Sequence, residues 1–392
     1  MTRIWKRVGA AGIAMVLATV MSPAVSAQQR HALAFDLSFD PDKGSKSGSP
    51  LDHLPGHIRL LDVDLPGGAK PMRADWSPDG DRLVFLDAPI GGVWEYDLDG
   101  GAARNLTAKF LPGGVLRAHH LSNGDLVLCA PPKRNAHDPV SDRFAGRLWV
   151  LPRPLGSRAP VQLGAPCWEG VAVSKQPGST RIAWNESSVD FTADPADIVR
   201  EALFGRSRIL TGRIVYNRAG TPKLVDRKVV LDKTDVSVIT PAVEAQDFRR
   251  LHDRDRDSDD ELIFSAYFHN GGQAMGVDLD TGKVTDYAPG SWFYEEAEGI
   301  DPAGRYVLVE RDLAFVFFPG ELDIWRLVLD GGGKFERVTT FNHYAGYGAT
   351  NPVVSPDGGS IAFQLERADS EHGQGHGLLL FDLAKWSGRP TP

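Results

Sequence analysis

A four-residue turn, Ser-Pro-Asp-Gly, occurs near both ends of this chain and each time leads into an apolar strand. Ser77-Pro78-Asp79-Gly80 precedes Leu83-Val84-Phe85-Leu86, and Ser355-Pro356-Asp357-Gly358 precedes Ile361-Ala362-Phe363. Proline fixes one φ and glycine accepts a positive one, so each stretch reads as a tight hairpin. Degenerate copies lie between them: Ser122-Asn123-Gly124-Asp125, Ser174 to Gly178, and Asp301-Pro302-Ala303-Gly304, each before an apolar strand. A further copy belongs near Arg249 to Glu261, where a long polar loop replaces the turn. That gives six units at a mean spacing of about 56 residues, a period that signals a repeat architecture.

Downstream of the hairpins an alternating strand recurs, as in Val93-Trp94-Glu95-Tyr96-Asp97, followed by a short final strand. Four antiparallel strands per unit is the size of a propeller blade. The sixth unit ends at Leu383 with three strands. Ile58-Arg59-Leu60-Leu61-Asp62-Val63 can supply the fourth, which closes the ring and leaves no open sheet edge. The expected fold is all-β, a six-bladed β-propeller over residues 58–383 closed by an N-terminal strand. One short helical insertion interrupts the third blade, with Asp194 as N-cap, Pro195 in the first turn and Gly205 at the end. It reads as surface decoration, with a lid over the channel as the alternative.

Outside the blades, residues 1–27 read as a signal peptide: Arg3, Lys6 and Arg7, then a short apolar run, then Val25-Ser26-Ala27 as a cleavage site. Residues 28–57 form a polar N-terminal segment and 384–392 a C-terminal tail. The full chain carries 43 basic and 51 acidic residues, a net charge of −8. Cleavage near Ala27 removes only positive charge, so no basic stripe for nucleic acid is expected. The expected location is periplasmic or secreted, with no membrane span in the mature chain. In an oxidising compartment Cys129 and Cys167 can pair or remain two buried thiols, and spacing alone does not choose.

The Ser-Pro-Asp-Gly hairpins at this blade length resemble the TolB-like six-bladed β-propeller family, over about Ile58 to Leu383. Bacterial TolB places an α/β domain before its propeller and works in the Tol–Pal envelope system, whereas only Gln28 to His57 precedes the blades here. The stretch from Trp292 to Leu383, with Glu298-Gly299-Ile300-Asp301-Pro302 and Asn351-Pro352-Val353-Val354, also resembles fungal secreted saponin hydrolases, which cleave glucuronides. No Gly-x-Ser-x-Gly nucleophile elbow occurs in the chain.

In a propeller the segments entering the innermost strands share one end of the ring, so six stretches distant in sequence meet at one mouth. Here they are Met72-Arg73, Arg117 to His120, Cys167 to Glu169, Ala242 to Gln246, Trp292 to Glu298 and His343 to Asn351. The richest holds Glu295, Glu296 and Glu298; alternation turns Glu296 and Glu298 to one side and Glu295 to the other. Such carboxylates repel unless paired, solvated or sharing a proton, and Arg73, Arg117 and His343 are the candidate partners. The expected ligand-binding residues are Arg73, Arg117, His119, Glu169, Glu295, His343 and Tyr344. Glu296 and Glu298 are the candidate catalytic pair. No metal site and no cofactor are assigned: Asp253, Asp255, Asp257 and Asp259 depart from the EF-hand pattern, with Ser258 at its glycine position and Phe264 at its glutamate position. His372, Gln374 and His376 read as an exposed loop.

Two functions follow. The favoured one is an exported propeller that binds a ligand or protein partner at its axial mouth, a small-molecule glycoside or an envelope protein. The alternative is a glycoside hydrolase acting on a glycoside or glucuronide through a carboxylate acid/base pair.

Overall fold

The computed structural model describes residues 39–133, 145–168, 170–187, 207–232, 242–250, 259–267, 269, 272–313, 321–370 and 374–386. The expected signal peptide, the expected helix over 194–205 and Glu169 lie outside them.

The Ser-Pro-Asp-Gly turns close for a reason written in their side chains. The Ser77 hydroxyl donates to Asp79 and accepts from the Arg82 amide at 2.9 Å, while the Gly80 amide reaches Ser77 O at 2.9 Å with φ of 78°. Ser355 repeats this with Asp357, the Ser360 amide at 2.9 Å and Gly358 at φ 72°. The serine hydroxyls hold both aspartates below the usual carboxylate range. Gly124, Gly178 and Gly304 take the same left-handed conformation at the corresponding turns, where a side chain would be strained.

These hairpins build six four-stranded antiparallel sheets. The innermost strands are Met72–Trp76, Arg117–His120, Val171–Val173, Ala242–Arg249, Tyr294–Ile300 and Tyr347–Val354. In blades one to five the chain runs outward strand by strand. The sixth blade takes its outer strand from the other end of the sequence: Ile58–Leu60 pairs with Leu378–Asp382, Ile58 opposite Phe381 and Leu60 opposite Leu379.

The core is a circle of interfaces. Because strand side chains alternate between faces, each sheet is apolar on both sides. In blade one, Val84 and Leu86 pack with Ala118, Leu126 and Leu128 of blade two, whereas Leu83 and Phe85 pack with Leu378 and Leu380 of blade six. Further clusters of this kind fill the second-to-third, third-to-fourth, fourth-to-fifth and fifth-to-sixth junctions. Blade one touching blade six closes the six-bladed ring.

Cys129 and Cys167 are disulfide-bonded, both buried in the junction between blades two and three. The polar N-terminal segment is laid against blades five and six. Lys43 pairs with Asp312 at 3.1 Å, and Lys46 forms a parallel bridge with Tyr344.

Candidate functional site

Four innermost strands break register at a bulge: between Met72 and Asp75, Ala245 and Asp247, Ala297 and Ile300, and Thr350 and Val353. A bulge re-aims side chains out of the ladder and is common beside functional sites. Two of these bulges place non-glycine residues at positive φ, Arg73 at 51° and Asn351 at 50°. Such backbone persists only where the surroundings hold it. Gln364 accepts the Arg73 amide at 2.9 Å, and the Asn351 amide donates to Glu310 at 2.5 Å.

Glu298, at the blade-five bulge, is the centre of the resulting cluster. Burial raises its pKa well above the carboxylate range; Glu296 and Glu244 push it further, while Arg117 and Arg73 oppose them. Blades one, two, four and five thus all act on one carboxyl group. Glu310, on the next strand of blade five, is likewise driven up by burial and by Glu298 and Glu296, against the Asn351 amide. Single oxygens of Glu296, Glu298 and Glu310 lie within 4.8 Å of one another. Three anions cannot share that space, so the cluster retains at least one proton near neutral pH.

The Tyr267 hydroxyl donates to one oxygen of Glu296 and the Tyr294 hydroxyl to the other, and Tyr267 also contacts Glu244. Burial and the adjacent carboxylates keep both phenols protonated.

A second charged group lies further along the blade-one strand. Buried Asp75 accepts from Lys175 Nζ at 2.9 Å and from the His120 amide at 2.7 Å, with a ring nitrogen of His119 at 3.7 Å and of His120 at 3.5 Å. Although burial acts to raise it, Lys175 and the histidines carry its pKa well below the usual range. His119 is pushed down by burial despite Asp75.

Buried Asp247, at the blade-four bulge, is raised by burial to about 7, against Lys175 and the amides of Phe248 and Ile300. Its folded pKa exceeds the unfolded one, so the group favours folding below about pH 4 and loses that contribution as pH rises to about 7. Asp247→Asn removes the charge and keeps an amide-accepting oxygen. In thermal melts the variant matches the parent at pH 4 and gains about 2–4 kcal/mol at pH 8. An equal difference at both pH values would place the cost elsewhere than in the charge.

Of the residues expected at the mouth, Arg73, Arg117, Glu296 and Glu298 come together, and His119 joins the Asp75 group. Glu295 does not join them. It is fully buried, facing the other side of the strand, where Arg311 Nε pairs with it at 3.0 Å. Arg311 in turn lies 3.7 Å from the Phe335 ring centroid and 5.1 Å from that of Trp325. His343 and Tyr344 are seated beside the N-terminal segment, His343 near Asp40 and Asp42 and Tyr344 against Lys46. They sit apart because the chain between the outer strand of blade five and Tyr347 makes a buried turn at Phe341–His343 before it reaches the axis. Glu244 and Asn351 lie in stretches expected at the mouth but carry no motif that singles them out, whereas Tyr267 and Glu310 lie on second strands and become visible only once strand register is known.

No known family matches the sequence, and no curated protein matches it. Solved structures do. Regucalcin from Agrobacterium tumefaciens, a calcium-binding protein, is 14% identical with a TM-score of 0.51, over 85% of this chain and 96% of that one. TolB from Acinetobacter baumannii is 15% identical with a TM-score of 0.40, over 78% of this chain and 64% of its own, so this chain spans less than two thirds of that protein. Oligogalacturonate lyase from Vibrio parahaemolyticus is 10% identical with a TM-score of 0.44, over 84% of this chain and 94% of its own. What is shared is the fold. A propeller serves many chemistries, so function has to be argued from the side chains at the axis.

Proposed function

We propose that this protein is an exported propeller that binds a small sugar acid or acidic glycoside at its axial mouth. The observation that carries the reading is the mixed charge around buried Glu298, where Arg73 and Arg117 act against Glu244 and Glu296. Guanidinium groups suit a sugar carboxylate, and carboxyl and phenol groups suit its hydroxyls. Export to a periplasmic or extracellular location is supported by the buried disulfide and by the sequence of residues 1–27. Among the described residues no helix is long and apolar enough to cross a membrane.

Calorimetry with a panel of uronic acids, their glycosides and neutral sugars tests the reading. Acidic members bind, and Arg117→Ala weakens them at least about tenfold while changing neutral members little. A panel with no acidic binder, or affinity indifferent to Arg117, would move the ligand away from the mouth.

A hydrolytic role for the same site has one observation in its favour. Glu298 is raised in pKa beside Glu296, whose two oxygens both act as acceptors, an acid next to a base. The close approach within the cluster suits a shared proton better than two groups flanking a glycosidic bond. Product released from a bound glycoside, and its loss by about 100-fold in Glu298→Gln, would establish the hydrolytic role.

A further inference from the structure

A second constellation lies where the N-terminal segment meets the turn before blade six. Asp40 and Asp42 belong to the segment and His343 to the turn, and one ligand-type atom of each lies within 4.8 Å of the others. His343 is 9% exposed, yet its Nε2 is buried with no hydrogen-bond partner. A buried imidazole nitrogen left unsatisfied is costly unless something absent from the protein chain completes it.

We propose that Asp40, Asp42 and His343 form a binding site for a divalent cation of the zinc class, which clips the N-terminal segment to the propeller.

The local charge favours a dication. Asp40, Asp42 and Asp323 bring three carboxylates against one guanidinium, Arg337, which lies 2.9 Å from Asp40 and 2.7 Å from Asp323. Lys43, next to Asp42, is turned away to Asp312 and Glu321, and Lys46 lies over the Tyr344 ring. Asp40 accepts the Asp42 amide at 3.1 Å on one oxygen, and the other faces Arg337 and the Asn342 side chain. One imidazole with two carboxylates is a donor set for zinc rather than for calcium, which takes six to eight oxygens. Tetrahedral bonds of about 2.1 Å set ligand atoms about 3.4 Å apart. The exposed Asp42 side chain can turn toward the other two ligands, and its open side admits water as the fourth.

Calorimetric titration of the whole protein with zinc chloride is the test. One equivalent binds with a Kd of about 10 μM or tighter, and Asp42→Asn and His343→Gln each weaken it at least about 30-fold. The exposed Asp42 variant keeps the test valid if the buried His343 variant fails to fold. Because the axial carboxylates offer a competing acidic cluster, the titration is repeated on Glu298→Gln/Glu310→Gln, where the equivalent is retained. No binding at 100 μM zinc, binding indifferent to Asp42→Asn, or binding lost in the axial variant alone would overturn the proposal. So would calcium binding in its place.

Discussion

Replacing both cysteines by alanine is expected to cost the protein about 4 kcal/mol. The bond closes a loop across a sequence separation of 38 residues, for which chain entropy in the unfolded state gives roughly that value. Packing adds to the loss, because both sulfurs are buried where blade two meets blade three, among Val127, Leu148 and Trp184. Gly146 shows how closely the bond is enclosed: a Cβ there would lie 2.8 Å from Cys129 Sγ and 2.9 Å from Cys167 Sγ. Denaturant melts of Cys129→Ala/Cys167→Ala measure the effect, and reduction of the parent protein should reproduce most of it. Parent and variant melting together would mean that the two sulfurs are not joined in solution.

The fold was legible in sequence because its signals are local. Ser77, Asp79 and Gly80 form their turn from within five residues, and strand alternation follows from the two-residue repeat of side-chain direction. The closing strand was legible by counting: three strands at the C-terminal end left a vacancy that Ile58–Leu60 fills. Arg73, Arg117, Glu296 and Glu298 were legible because a propeller brings strand entries to one mouth. What was hidden depends on register. Glu310 and Tyr267 lie on second strands, and only the pairing register, which sets Glu310 opposite Glu296 and Tyr267 opposite Ala242, brings them to the cluster. His343 was assigned to the mouth because it precedes an innermost strand. The buried turn at Phe341–His343 holds it against residues some three hundred positions earlier, a pairing no local pattern encodes.

The bulge beside Glu298 is where fold and site are least separable, and Gly299→Ala should damage both. A Cβ on Gly299 would lie 2.7 Å from Pro352 O and 2.8 Å from Val353 Cα, both backbone atoms of the blade-six bulge. Backbone cannot swing aside as a side-chain tip can, so two innermost strands must part. Overpacking of this kind costs about 3 kcal/mol. Parting them also shifts Glu298 and Asn351, the residues next to the two contacts, and with Asn351 the hydrogen bond its amide donates to Glu310. The carboxyl cluster therefore loosens in the same variant. The expected result is a lower melting temperature together with at least a tenfold loss of acidic-sugar binding. Alanine at Gly282 serves as the control for the method of measurement: its Cβ meets nothing within 4 Å, although its φ of 73° is strained. That variant should lose stability and keep its affinity. If Gly299→Ala also melts early but binds as the parent does, the bulge shapes the ring without shaping the site.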